Sequence, residues 1–426
     1  MYKIFLIGVP PGDQLGAAER HLVSACGCVV SSERYHQLAA ELHHDLLPMT
    51  PIQETFGTIE ERLASMDVAV LASGDPLCFG IGRTLINRFG PERLEIIPAL
   101  SAMQYACGRF KETWDDAVLL SFHGRRDDTL AARIMRHVKV FCFTDRTNSP
   151  AVIAQAVIDT CRAIEDDELL AAYTVWVGEN LGQADEKITR GGLAEIAPGE
   201  FSDLNVMLLS RPVLQGSEPI FGLPEKEISH SRGLITKDEV RAATLHQLRL
   251  PAQGVFWDIG AGSGSISLEA ARLNPELTIY AVERHPDELA NIRANCRKFG
   301  AYNITIIAGV APQALFNLPD PDRVFVGGGG GNLAGIIATV ATRLKDDGRV
   351  VVNGVIEKTR TAAPRLLHDQ GLQVSITEIT IRRSKYPAGD QTTMNPMGVD
   401  LSGPPGLPLD QAKMTSGPNV LGFIVL

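Results

Sequence analysis

Asp258-Ile259-Gly260-Ala261-Gly262-Ser263-Gly264 decides the fold of the C-terminal half. The strand-like run Val255-Phe256-Trp257-Asp258 leads into it, and the helix pattern Ser265 to Leu273 leaves it. Glycines at this junction permit a tight turn and let backbone N–H groups come close to a ligand. Glu283 closes the next strand, Thr278 to Glu283, about 20 residues on, where a carboxylate can hold ribose hydroxyls. A dinucleotide fingerprint would place a third glycine at position 265, which is Ser265. The spacing G-x-G-x-G suits a nucleoside cofactor without pyrophosphate, so both cofactor classes are weighed, the second ahead of the first.

Outward from this loop, strand and helix patterns alternate. Pro286 opens a helix, and Ile304 to Ile307, Val324 to Val326 and Val350 to Val352 read as further strands. Alternation of this kind implies a Rossmann-like, mostly parallel, seven-stranded sheet covered by helices. Val374 to Ile381 and Val420 to Leu426 have no helix pattern between them, which predicts an antiparallel last strand. Gly327 to Gly331 is a run of five glycines after the fourth strand, costly in chain entropy. Its place at a strand's carboxyl end favours close approach of a large flat ligand over a flexible turn. Tyr386 to Pro418, rich in Gly, Pro, Met and Thr, is long for a loop, and a lid or a plain insertion are both open readings.

The N-terminal half is also α/β, with strand patterns at Ile4 to Ile7, Val68 to Leu71, Leu94 to Ile97, Val118 to Leu120, Val138 to Phe143 and Asp203 to Leu209. Four loops follow such strands: Gly8 to Asp13, Ser73 to Gly80, Pro98 to Ala102, and His123-Gly124-Arg125. Loops at carboxyl ends are expected to converge on one edge and form a cleft. A Pro-, Gly- and Ser-rich stretch near residues 212–232 reads as a linker. It separates a domain at 1–211 from a domain at 233–426.

Composition narrows the function. A formal charge of −10 argues against a nucleic-acid partner. No apolar run approaches the ~18 residues of a membrane span, and the N-terminus reads as a strand, not a signal peptide. Seven scattered cysteines suit a reducing cytoplasm, and no metal site is expected. No Ser-His-Asp triad or paired-carboxylate arrangement stands out. His230 and His285 are not expected to be catalytic.

Gly233-Leu234-Ile235-Thr236-Lys237-Asp238-Glu239-Val240-Arg241, Asp258 to Gly264, Gly309-Val310-Ala311-Pro312 and Val326-Gly327-Gly328 together resemble the decarboxylating methyltransferases of corrin biosynthesis. The N-terminal loops, with Glu179 to Gly182 and Glu186 to Ile188, resemble the tetrapyrrole methylase family, a two-lobed (class III) α/β fold. That family's first loop usually runs G-x-G-P-G-D, whereas this chain has Pro10, which fixes φ and re-shapes the loop. The resemblance implies S-adenosylmethionine (SAM), one per domain. Pro11, Ser73, Gly74, Asp75, Ser101 and Ala102 would bind it in the first domain. In the second the residues would be Thr236, Gly260, Ala261, Gly262, Ser263, Gly264, Glu283 and Ala311. It further implies a tetrapyrrole polycarboxylate substrate, C5 and C15 methylation with decarboxylation of the C12 acetate, and a homo-oligomer. Arg83, Arg125, Arg126 and Lys237 are candidate carboxylate clamps. His123, Arg125 and Lys237 are the candidates for a catalytic role. The competing readings are a SAM enzyme of another tetrapyrrole and a nucleotide-binding regulatory module with one degenerate site. Both Asn395-Pro396 and Gly417-Pro418-Asn419 match a short Asn-Pro segment that the family carries before its last strand.

Overall fold

The computed structural model describes residues 2–122, 124, 129–212, 221–231, 233, 235–328, 331–381, 383 and 421–425. Outside them lie His123, Arg125, Arg126, Leu234, Gly329, Gly330, linker residues 213–220 and 232, and the whole of 386–418. The chain forms two compact units, the first of residues 1–130, 137–158 and 168–213, the second of 131–136, 159–167 and 214–426.

The first unit holds two sheets. β1 (Ile4–Val9), β2 (Cys28–Ser31), β3 (Leu46–Pro48), β4 (Val68–Ser73) and β5 (Leu94–Ile97) are all parallel, in the order β3-β2-β4-β1-β5. Apolar clusters lie on both faces of this sheet: Ile4, Leu6, Val68 and Val70 point into one, Ile7, Val29, Ala69 and Leu71 into the other. Burial on both faces is why β1 and β4 read as near-continuous apolar runs. The second sheet is mixed: β6 (Val118–Ser121), β7 (Lys139–Phe143), β8 (Thr174–Glu179), β9 (Lys187–Gly191) and β10 (Asn205–Ser210), ordered β6-β7-β10-β8-β9. The sequence patterns did not predict β2, β3, β8 or β9. The expected convergence of four loops is corrected here: three follow β1, β4 and β5, neighbours in one sheet, but the His123-Gly124-Arg125 loop follows β6 in the other.

The second unit carries seven strands: β11 (Gly254–Ile259), β12 (Leu277–Glu283), β13 (Ile304–Ala308), β14 (Arg323–Val326), β15 (Arg349–Asn353), β16 (Gln373–Thr377) and β17 (Leu421–Val425). Their order is β13-β12-β11-β14-β15-β17-β16. The expected antiparallel last strand is not found: β17 pairs parallel with both β15 and β16. A parallel return needs a crossover of about a dozen residues, and positions 378–420 provide far more than that. Helix ends follow their capping residues. Pro286 stands at the first turn of Pro286–Phe299, which ends at Gly300 with φ +64°, and Asn332 caps Leu333–Arg343 by accepting from the Gly335 N–H at 3.1 Å.

A buried ion pair holds the start of this unit to its core. Arg241 and Glu269 are each 1% exposed and 3.0 Å apart. Arg241 also donates to the carbonyls of Thr236 (3.0 Å) and Leu223 and to Asp238 (2.9 Å). The Glu269 carboxylate accepts the N–H groups of Gly222 at 3.0 Å and Leu223 at 2.9 Å. Every member is satisfied, which is the condition under which a buried pair is tolerated. Removing one partner strands the other charge. Glu269→Ala is therefore expected to cost about 3–5 kcal/mol, measured as a shift in urea unfolding, and a loss below about 1 kcal/mol would rule out this role for the pair.

Candidate functional sites

In the second unit the loops after β13, β12, β11 and β14 lie side by side. Gly260 has φ +69°, and a Cβ there would stand 2.9 Å from the Gly328 carbonyl oxygen. A Cβ on Gly327 would stand 3.0 Å from the Gly260 oxygen. Two backbones pack directly against each other here, which only glycine allows. Part of the five-glycine run is thus explained by the chain's own packing and not by a ligand. Gly327 donates to Ile259 O at 2.9 Å, which locks the two loops together.

Gly262 differs from these. Its φ is +55°, and a Cβ built on it meets nothing within 4 Å. Its N–H donates to Glu283 Oε2 at 2.9 Å, while Glu283 Oε1 accepts from the N–H groups of Arg284 (2.8 Å) and His285 (2.9 Å). Glu283 is buried and its carboxylate is held in one orientation, with lone pairs left for further donors. Gly309 donates to the Glu283 carbonyl at 2.9 Å, which brings the Gly309–Pro312 loop, and Ala311 with it, beside this acid. Ser263 is buried, and its carbonyl accepts from Asn295 Nδ2 at 2.9 Å. Gly264 and Ala261 close the turn through a 2.9 Å bond. Thr236 is tied to this loop through Arg241 and Glu269, the latter on the helix that the loop opens. Lys237 is exposed and paired with Glu225 at 3.2 Å, an arrangement that leaves it less available as a clamp.

In the first unit, Gly8, Gly74 and Ala99 knit three loops. A Cβ on Gly8 would collide with the Gly74 oxygen and stand 2.6 Å from Ala99 N. Gly74, at φ +56°, donates to Val9 O at 2.8 Å and accepts from Ala99 N at 3.2 Å. Ser101 and Gln104 form a capping box on the helix Ala102–Phe110, with Gln104 N donating to Ser101 Oγ at 3.2 Å and Ser101 N to Gln104 Oε1 at 3.0 Å. The Ser101 side chain is thus committed to the helix end. Asp75 accepts the Leu77 N–H at 2.9 Å. Despite Pro10, the first loop closes as a turn, with Asp13 N donating to Pro10 O at 3.0 Å, and Pro11 and Gly12 lie against the backbone of Gly182.

Two contributors to this edge were not read from the sequence. Arg34 and Tyr35 follow β2. Arg34 bonds Asp13 at 2.9 Å and approaches Ser73 Oγ at 3.4 Å, and the Tyr35 hydroxyl is 2.5 Å from Ser73 Oγ. Burial pushes the Tyr35 phenol up, so it stays protonated and able to donate to Ser73. The missing signal was β2 itself, whose carboxyl end presents them. Arg83 is exposed and, among the described residues, has no ion-pair partner.

Residues 3–197 match the family described as "Tetrapyrrole (Corrin/Porphyrin) Methylases", and residues 227–399 match "Precorrin methyltransferase domain". A "Precorrin-6Y C(5,15)-methyltransferase (decarboxylating)" of Sinorhizobium sp is 31% identical over 409 residues, 95% of this chain and 93% of that relative. A "Probable cobalt-precorrin-6B C(15)-methyltransferase (decarboxylating)" of Pyrobaculum calidifontis is 36% identical over 185 residues, 42% of this chain and 93% of its own length. The crystal structure of "Precorrin-6y C5,15-methyltransferase" from Geobacter metallireducens GS-15 is 45% identical, covers 42% of this chain and 93% of that chain, and superposes with a TM-score of 0.40.

Asp258 gives the second site a measurable titration. Its Oδ2 accepts from Ser267 N (3.1 Å) and Ser267 Oγ (2.6 Å), while Oδ1 is buried without a partner. Burial, with the nearby Glu283 charge added, raises its pKa to about 7 against the opposing Ser267 bonds. An unfolded aspartate titrates near about 3.9. From about pH 4 to about 7 the folded state therefore holds the extra proton, and this group's contribution to stability falls as pH rises. Asp258→Asn is expected to remove that decline. Urea unfolding across pH 4–8 checks it, and equal slopes in the two proteins would count against a protonated Asp258.

Proposed function

The chain belongs to the precorrin-6Y C(5,15)-methyltransferase (decarboxylating) family, and on that premise we propose that it methylates precorrin-6Y at C5 and C15 and decarboxylates the C12 acetate, giving precorrin-8 in cobalamin biosynthesis. The observation that carries this reading is the locked glycine loop with Glu283 beside it, in a chain aligned along 95% of its length with such an enzyme. Residues 1–211 would carry C5 methylation and residues 233–426 C15 methylation and decarboxylation, joined by the linker 212–232. In support, the relative named for C15 chemistry alone is almost fully covered by 42% of this chain.

Each domain would bind one SAM, which supplies a methyl already activated as a sulfonium. The open space over Gly262 and the oriented Glu283 carboxylate suit its nucleoside in the second domain; Ser73, Gly74, Asp75 and the Ser101–Ala102 helix start would hold it in the first. The chain's task is then alignment more than acid–base work: holding donor and acceptor carbon in line is worth several powers of ten in rate. Reduced tetrapyrroles have electron-rich meso carbons, so no strong base is required, and the conjugated ring takes up the electrons released when CO₂ leaves. Arg83, exposed and without an ion-pair partner among the described residues, is the better placed carboxylate clamp of the two described candidates, since Lys237 already faces Glu225. The same reading includes a cytoplasmic location and a homo-oligomer. Among the described residues no helix is long and apolar enough to cross a membrane.

Mass spectrometry of purified protein with SAM and precorrin-6Y is expected to show a product heavier by two methyls and lighter by CO₂. Gly262→Arg, which fills the open space and keeps a residue at φ +55°, is expected to leave one methyl added and CO₂ retained. An unchanged substrate with the wild-type protein would overturn the substrate assignment.

A further inference from the structure

Phe79 combines two features that folding alone would select against. It is 59% exposed, the most exposed large apolar side chain of the first unit's described residues together with Leu77 at 52%. It also holds φ +54°, a left-handed conformation that costs a non-glycine residue about 1 kcal/mol or more. The loop around it leaves little freedom to relax. Cys78 N donates to Asp75 O at 3.0 Å, Leu77 N to Asp75 Oδ1 at 2.9 Å, and Gly82 N to Pro76 O at 2.9 Å. Gly80 and Gly82 are so close to that Pro76 carbonyl that a Cβ on either would stand 2.6 or 2.7 Å from its oxygen. The turn thus fixes the ring outward.

The ring is also supported from behind. Phe79 lies 5.3 Å from Phe143, tilted by 49°, and Phe143 lies 5.3 Å from the fully buried Phe141. Phe143 ends β7, so the stack is anchored in the second sheet while Phe79 rises from the first. The result is a rigid aromatic surface one turn beyond Asp75, with Leu77 beside it and, four residues further on, the exposed Arg83, which has no ion-pair partner among the described residues. An apolar face with a cation at its edge fits a conjugated ring that carries carboxylates on its rim.

We propose that Phe79 is the stacking contact for the macrocycle in the C5-methylating domain, with Leu77 extending the apolar face. This rests on the functional reading above. The left-handed backbone supplies a discriminating variant, because Phe79→Gly removes the ring and the conformational cost together. It is expected to unfold at the same temperature as wild type or higher, to bind SAM unchanged by calorimetry, and to raise the KM for precorrin-6Y in C5 methylation about tenfold, with kcat much less affected. Phe79→Tyr is expected to restore the KM, since its ring stacks as well. Phe79→Gly with a wild-type KM would overturn the inference while leaving the function intact. A wild-type protein that fails to methylate the macrocycle at C5 would overturn the functional reading and this inference with it.

Discussion

Parallel strands that end side by side force their loops into the same volume, and in both units the chain resolves this crowding by letting backbone touch backbone. Gly260 lies against Gly327 and Gly328, and Gly8 against Gly74 and Ala99, at separations no side chain would allow. Once these contacts are set, the height of each loop above its sheet is fixed. The neighbouring groups then have defined positions: Gly262 faces open space, Glu283 presents a carboxylate, and the Ser101 helix begins beside Gly74. A single methyl group at Gly8 or Gly260 would lift one loop off the other and displace the groups of its own unit.

Polar side chains then serve mainly to hold the loops. Glu283 gathers three backbone N–H groups, Asp258 ties the strand end to the next helix through Ser267, and Tyr35 and Arg34 fix Ser73 and Asp13. None of these is arranged as an acid–base pair or a nucleophile. Loops held this way suit a transfer whose electrophile arrives activated, because the gain comes from alignment and from a donor site that does not move.

Much of this was legible in the sequence because it is local. The run Asp258 to Gly264, the acid at Glu283 and the proline at Pro286 lie within thirty residues of one another and keep strict spacing. The parallel strands β1, β4, β11, β14 and β15 carry runs of mostly buried apolar residues, which is what makes them readable without a period. What was not legible depends on contacts between distant segments or on very short elements. β2 and β3 are four and three residues long and were not read as strands, so Arg34 and Tyr35 had no strand end to be placed on. Arg241 and Glu269 are 28 residues apart, and only the fold makes them partners. The direction of β17 depended on where a long connection returns, which local pattern does not encode. The φ of Phe79 follows from a turn closed around Pro76, not from the identity of residue 79.

The two units reach a comparable end by different means, and the difference bears on how separately they can work. In the second, the carboxylate comes from the last residue of the strand beside β11, so the proposed cofactor contact is built into the sheet. In the first, β4 and β5 flank β1 but end in Ser73 and Ile97, and the acid comes from Asp75, inside the turn. That turn also carries Leu77 and Phe79. The first site therefore places Asp75, the proposed cofactor contact, and an exposed aromatic surface on one rigid loop of fewer than ten residues, so a change that moves the ring also moves Asp75. The second site has no such coupling at Glu283, which is held by its own strand and by Gly262. Substitutions in the 75–82 turn should thus mix cofactor and substrate effects unless, as with glycine at 79, they preserve the backbone that the turn already imposes.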